Sequence, residues 1–136
     1  MKKELDSEEE NKLLFNIVVP LFNAEKYIEK CLNSIINQSY KRFQVQVVDD
    51  CSGDSSYEIA SSICKSNKNF KIFRNPRRIG ALNNICNLLN TKIKEPTKTV
   101  DLIIDGDDYL YSGDVFNILK EKYICLLYTS PSTRDS

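Results

Sequence analysis

A chain of 136 residues that is 41% hydrophobic and 28% charged has the composition of a single globular domain, neither disordered nor fibrous. Its 19 basic and 19 acidic residues cancel, so no bulk positive field is available for a nucleic acid, and any phosphate must be gripped locally. Histidine is absent, the cysteines at 31, 51, 64, 86 and 125 show no Cys-x-x-Cys spacing, and no apolar run nears the ~20 residues of a membrane helix.

Residues 1–12 are polar and aperiodic and are expected to be a disordered lead-in, without the apolar middle of a secretion signal, which points to a cytoplasmic protein. The domain is expected to run over residues 13–123. Leu14 to Pro20 is a continuous apolar, β-branched run, the pattern of a strand buried on both faces. Asn23 is placed to cap a helix that carries Tyr27, Ile28, Cys31, Leu32, Ile35 and Ile36 on one face. After a turn at Gln38-Ser39-Tyr40, Phe43 to Val48 reads as a second strand that ends on Asp49-Asp50. Ser52-Gly53-Asp54-Ser55 supplies a turn and a cap for a second helix bearing Tyr57, Ala60, Ile63 and Cys64.

Phe70 to Arg74 forms a third strand, broken by Asn75-Pro76, and Ala81, Leu82, Ile85, Leu88 and Leu89 mark a third helix. Beyond a polar stretch with Pro96, Val100 to Ile104 gives a fourth strand, followed by Asp105-Gly106-Asp107-Asp108 and a helix from about Asp114 to Tyr123. The tail 124–136 starts no element, looks unrelated to the domain, and is left out of the fold. Cys31, Cys64 and Cys86 fall on apolar helix faces and are expected to be small buried hydrophobes. Four strand-helix alternations imply an α/β domain whose mostly parallel sheet carries helices on both faces, with its ligand site beyond the carboxyl ends of the strands.

Both acid clusters fall at those ends. Three carboxylates within Asp105-Gly106-Asp107-Asp108 repel one another unless a cation relieves them, and Mn²⁺ or Mg²⁺ prefers such oxygen ligands together with substrate phosphate. Asp49-Asp50 offers acceptors for a base N–H or a ribose hydroxyl. Arg77 and Arg78 bring local positive charge between the clusters. Taken singly, each cluster reads equally well as a solvated turn. A calcium loop is excluded, because the position that should hold its bidentate glutamate is Phe116. A nicotinamide fold would need a glycine-rich turn where Pro20-Leu21-Phe22-Asn23 stands. A receiver-like, Mg²⁺-binding signalling module with a phosphoacceptor aspartate is the alternative, although its acid pair normally follows the first strand rather than the second.

Ile17-Val18-Val19-Pro20-Leu21-Phe22-Asn23, Val47-Val48-Asp49-Asp50-Cys51-Ser52-Gly53-Asp54-Ser55 and Ile104-Asp105-Gly106-Asp107-Asp108-Tyr109-Leu110 resemble, in order and spacing, the successive motifs of family 2 glycosyltransferases. Arg78-Ile79-Gly80-Ala81-Leu82-Asn83-Asn84 is similar to the loop and helix that precede the metal motif in some members. The resemblance implies a Rossmann-like GT-A fold, cut off after a DxD-type motif. It also implies a nucleotide-diphosphate sugar donor, with UDP favoured, and a Mn²⁺ or Mg²⁺ cofactor. The acceptor would be a hydroxyl of a glycan or lipid-linked glycan, met at the inner face of a membrane.

By the same resemblance Pro20, Phe22 and Asp50 line the base pocket, with Asn23, Asp49, Arg78 and Asn84 also facing the donor. Asp105 and Asp107 touch the donor and, with Asp108, hold the metal. Phe22 replaces the commoner tyrosine, which keeps a stacking face and loses a hydroxyl. Inverting transfer needs a general base. The family takes that base from an acidic residue downstream of the metal motif, so this chain is expected to bind donor without completing transfer alone.

Overall fold

The computed structural model of the chain describes residues 13–89 and 99–123. The lead-in 1–12, the stretch around Pro96, the tail with Cys125 and the side chains of Leu88 and Leu89 lie outside the described residues. Strand β1 (Leu14–Leu21) is buried at every position after Leu14, which is why its sequence shows an unbroken apolar run instead of alternation. Its odd-numbered side chains, Phe15, Ile17, Val19 and Leu21, enter the main core with Ile28, Cys31, Leu32 and Ile35 of helix α1 (Ile28–Ile36). Each such side chain taken from water contributes about 1.5–3 kcal/mol.

Strands β2 (Phe43–Asp49), β3 (Phe70–Arg74) and β4 (Thr99–Ile103) complete a sheet of order β3-β2-β1-β4, and every pairing is parallel. From β1 the chain steps one way to β2 and β3, with α1 and α2 (Ser56–Lys65) packed together on the core face. It then returns through α3 (Ala81–Leu89) to β4 on the other side of β1. Right-handed crossovers therefore place α3 against the opposite face, where it meets β1 and where Asn16 and Val18 are buried. The strand order reverses between β1 and β4, which opens a crevice at their carboxyl ends. This order is that of the dinucleotide-binding fold and not the 2-1-3-4-5 order of receiver-like modules.

Pro20 lies inside this central strand, where proline is ordinarily excluded. Its carbonyl points toward β4 and accepts the Gly106 N–H at 3.0 Å, and its own nitrogen faces the same way, past the last paired residue of β4.

Two local expectations are corrected. Asn23 does not cap α1: the helix begins after Tyr27, and Asn23 sits at φ 49 with its Oδ1 accepting the Gly53 N–H at 2.8 Å. Asparagine tolerates that left-handed conformation better than most residues do. Cys86 is exposed on α3, whereas Cys31 and Cys64 are buried as expected. A helix over 115–123 follows the metal motif, and its Phe116 is buried against Phe15 and Phe43, with ring centroids 5.1 and 5.5 Å away. That helix closes the core beneath the crevice.

Candidate functional site

The crevice floor is built where the ladder of β1 and β4 runs past the last strand residue. Ile104 donates to Val18 and Gly106 to Pro20, both at 3.0 Å. A Cβ on Gly106 would stand 3.0 Å from Leu21 Cδ1 and 3.2 Å from the Pro20 carbonyl, so a side chain there would push the acidic turn away from β1 or displace Leu21. The result is a cleft of about 220 Å³ with Pro20, Leu21 and Phe22 on one wall, Asp105, Gly106 and Asp107 on another, and Asp50, Arg78 and Asn84 between them.

Ligand atoms of Asp105, Asp107 and Asp108 lie within 4.8 Å of one another, and all three residues are exposed. Burial, then the charges of Asp107 and Asp108, push the Asp105 carboxyl above its ordinary value. Three mutually repelling oxygen donors at one place fit a divalent cation, which would relieve that repulsion. Beneath them the Cys31 thiol donates to the Asp105 carbonyl at 3.5 Å. Burial and the three aspartates push that thiol up to about 12, so it stays protonated and inert.

Asp50 is 3% exposed and forms the hub of the opposite wall. Its Oδ1 accepts from Ile79 N–H at 2.9 Å and Asn75 Nδ2 at 3.0 Å, and its Oδ2 from Gly80 N–H at 2.9 Å and Arg78 Nε at 3.4 Å. Burial alone would raise this carboxyl, but the Ile79, Asn75 and Gly80 donors and the nearby Asn84 amide hold it down at about 2. Asn84 acts through proximity, since among the described residues its Nδ2 makes no hydrogen bond of ordinary geometry. Gly80, at φ 95, allows the chain to bend so that two successive N–H groups converge on one carboxylate. The guanidinium of Arg78 lies 3.7 Å from the Phe22 ring centroid.

The sequence model for glycosyl transferase family 2 matches residues 16–122. The chain belongs to this family. Among family relatives, the uncharacterized glycosyltransferase EpsJ of Bacillus subtilis strain 168 is 31% identical over 109 residues, which cover 80% of this chain and 30% of EpsJ. The structure of Staphylococcus aureus TarS 1–349 in complex with UDP superimposes with TM-score 0.64 at 31% identity, covering 78% of this chain and 31% of that 1–349 chain. Pyrobaculum calidifontis mannosyltransferase PcManGT, solved with GDP-Man and Mn²⁺, matches with TM-score 0.68 at 21% identity, over 86% of this chain and 32% of that one, and shares the fold. The sheet is thus that of the GT-A glycosyltransferases, and the chain spans about a third of the length of these relatives.

Within this family 2 fold, the residues expected to face a donor divide into two groups. Pro20, Phe22, Asp50, Arg78, Asn84, Asp105 and Asp107 line the one cleft, with Asp108 beside them in the acid cluster. Asp49 and Asn23 stand outside it. The Asp49 side chain is fully buried, accepting from the Ser52 backbone and hydroxyl and pairing with Arg74 at 3.4 Å. Asn23 pins the loop after β1 to the turn after β2. Arg77 is exposed and does not line the cleft. Sequence reasoning missed Asn75, which ties Asp50 to Asn84 through one amide, at 3.0 and 2.6 Å. The turn-breaking Asn75-Pro76 pair was its only signal. A larger groove of about 610 Å³ between α1 and residues 109–113 contains none of the clustered aspartates, so the smaller cleft is the better candidate. Among the described residues no helix is long and apolar enough to cross a membrane.

Proposed function

We propose that the cleft binds a nucleotide-diphosphate sugar, a UDP-sugar in preference, and that the protein transfers the sugar with inversion to a hydroxyl of a glycan or lipid-linked glycan. The observation that carries this reading is the meeting of Asp50 with Asp105 and Asp107 in one cleft at the strand-order reversal. The binding of UDP and UDP-GlcNAc by TarS supports the choice of base.

Asp50 would accept a ring N–H of the base, Phe22 would pack on its face, and Pro20 would shape the wall behind it. Asp105, Asp107 and Asp108 would hold Mn²⁺ or Mg²⁺. When bound, that cation supplies positive charge against the diphosphate leaving group. Asn84 would add a donor. Asn23 and Asp49 act as supports for the loops that carry these groups, and the base that deprotonates the acceptor is assigned to none of the described residues.

Calorimetric titration with UDP and with GDP, with and without Mn²⁺, tests the proposal. UDP binding that requires Mn²⁺ and is weakened at least roughly tenfold by Asp107→Asn is expected, since a buried or metal-linked charge contact is worth more than one 1.4 kcal/mol step. Absent or metal-independent binding in a folded sample would overturn it.

A further inference from the structure

An ionised carboxylate offers about four lone-pair positions. At Asp50 all four are taken, two on each oxygen, by Asn75, Ile79, Gly80 and Arg78. A base N–H can therefore reach this carboxylate only by displacing a donor already there. Two of the incumbents are backbone N–H groups at 2.9 Å and the third is a half-buried amide at 3.0 Å. Arg78 makes the longest contact, 3.4 Å, from a side chain that is 61% exposed.

The same guanidinium covers the ring of Phe22 at 3.7 Å, so a flat, hydrogen-bonding group already occupies the stacking face beside Asp50. The cleft it crosses holds about 220 Å³. Small-molecule sites commonly offer about 300–1,000 Å³. Next to it Asn84 is 2% exposed and lines the cleft, and among the described residues its Nδ2, close to Asp50, makes no hydrogen bond of ordinary geometry. A buried donor without a well-placed acceptor is costly until one arrives.

We propose that Arg78 is a built-in occupant of the nucleoside pocket, displaced by a base that presents a ring N–H flanked by carbonyl oxygens. This rests on the nucleotide reading above and deepens it. The N–H replaces Nε on Oδ2 of Asp50, the ring replaces the guanidinium on Phe22, and a ring carbonyl accepts from Asn84 Nδ2. A uracil fits this exchange. Cytosine does not, because its ring nitrogen at that place is an acceptor and would meet the carboxylate lone pair to lone pair. Breaking the Arg78–Asp50 pair weakens the binding of any base alike, and the choice between bases comes from the hydrogen bonds that each forms with Asp50 and Asn84.

Uridine, which has no phosphate, isolates the exchange from any contact between Arg78 and the diphosphate. Titrated with uridine, Arg78→Ala is expected to bind roughly three- to tenfold more tightly than the unaltered chain, the scale of one exposed cation–π contact and a screened ion pair. Raising salt should narrow that difference by weakening the plug in the unaltered chain. Cytidine should bind neither form. Equal or weaker uridine binding by Arg78→Ala would overturn the inference while Mn²⁺-dependent UDP binding by the unaltered chain left the nucleotide reading standing. Failure of both forms to bind UDP would overturn the two together.

Discussion

Asp50 and Asp107 line the same cleft although two helices and two strands separate them along the chain. The parallel sheet accounts for this. With β2, β1 and β4 all pointing the same way, every strand delivers its following residue to one edge, and the order reversal beside β1 leaves room between them.

The hub at Asp50 has a pH signature. Its folded carboxyl is held at about 2, below the ordinary value of 3.8, so its ionised form stabilises the fold. That contribution is full above the unfolded value and is lost as pH falls from about 4 toward about 2. Asp50→Asn should cost about 2 kcal/mol near neutral pH and flatten the acid limb of the stability curve. Urea unfolding at neutral pH and at a series of acid pH values measures both, and an unchanged acid limb would contradict the assignment.

Gly106→Ala should destabilise the chain by about 1–3 kcal/mol, because its Cβ meets the Pro20 carbonyl and the Leu21 side chain in a packed floor. Gly53→Ala is the control, since a Cβ there meets nothing within 4 Å. Thermal or urea unfolding of the pair separates the two sites, and equal effects would contradict this account of the floor.

Gln38 is fully buried and joins α1 to the segment after the metal motif: its amide donates to the Ser34 and Ser112 carbonyls at 3.1 and 2.6 Å, and its Oε1 accepts the Phe116 N–H at 2.9 Å. Gln38→Ala leaves these groups without their partner and should cost about 2 kcal/mol or more. Chemical denaturation tests it. A loss under about half a kcal/mol, the range of an ordinary surface substitution, would contradict that role.

Gln38 also shows what the sequence conceals. Its position in a polar turn gives no hint of a partner such as Phe116, because a single long-range hydrogen bond leaves no periodicity. The strands, by contrast, were readable: short apolar runs closed by a proline, an acid pair or an Asn-Pro break are short-range patterns, and β1, β2 and β3 fall where those runs lie. The acidic residues of the cleft were legible for the same reason, with Asp50, Asp105 and Asp107 at strand ends.

Asn23 and Asp49 were not distinguishable from them by residue type. What separates them is which way each side chain turns, and that is fixed by contacts across the fold. The turn at 52–56 receives or gives hydrogen bonds to residues 23–25 at five points, so groups that read locally as turn and cap chemistry serve as a staple between loops. Cys86 was misplaced because helical spacing marks a common face of α3 without showing how far the core extends over it.

On the function proposed above, one cleft takes the base at its Asp50 end and the cation-bridged diphosphate at its Asp107 end. Mapping backbone amide shifts of the isotopically labelled chain during titration with UDP and Mg²⁺ tests it directly. Joint perturbation of Phe22, Ile79 and Gly80 on one wall and Gly106, Asp107 and Asp108 on the other is expected, saturating at one UDP concentration, with Lys41 and Lys68 on the far side unmoved. Shifts confined to one wall, or centred on the groove between α1 and residues 109–113, would contradict it.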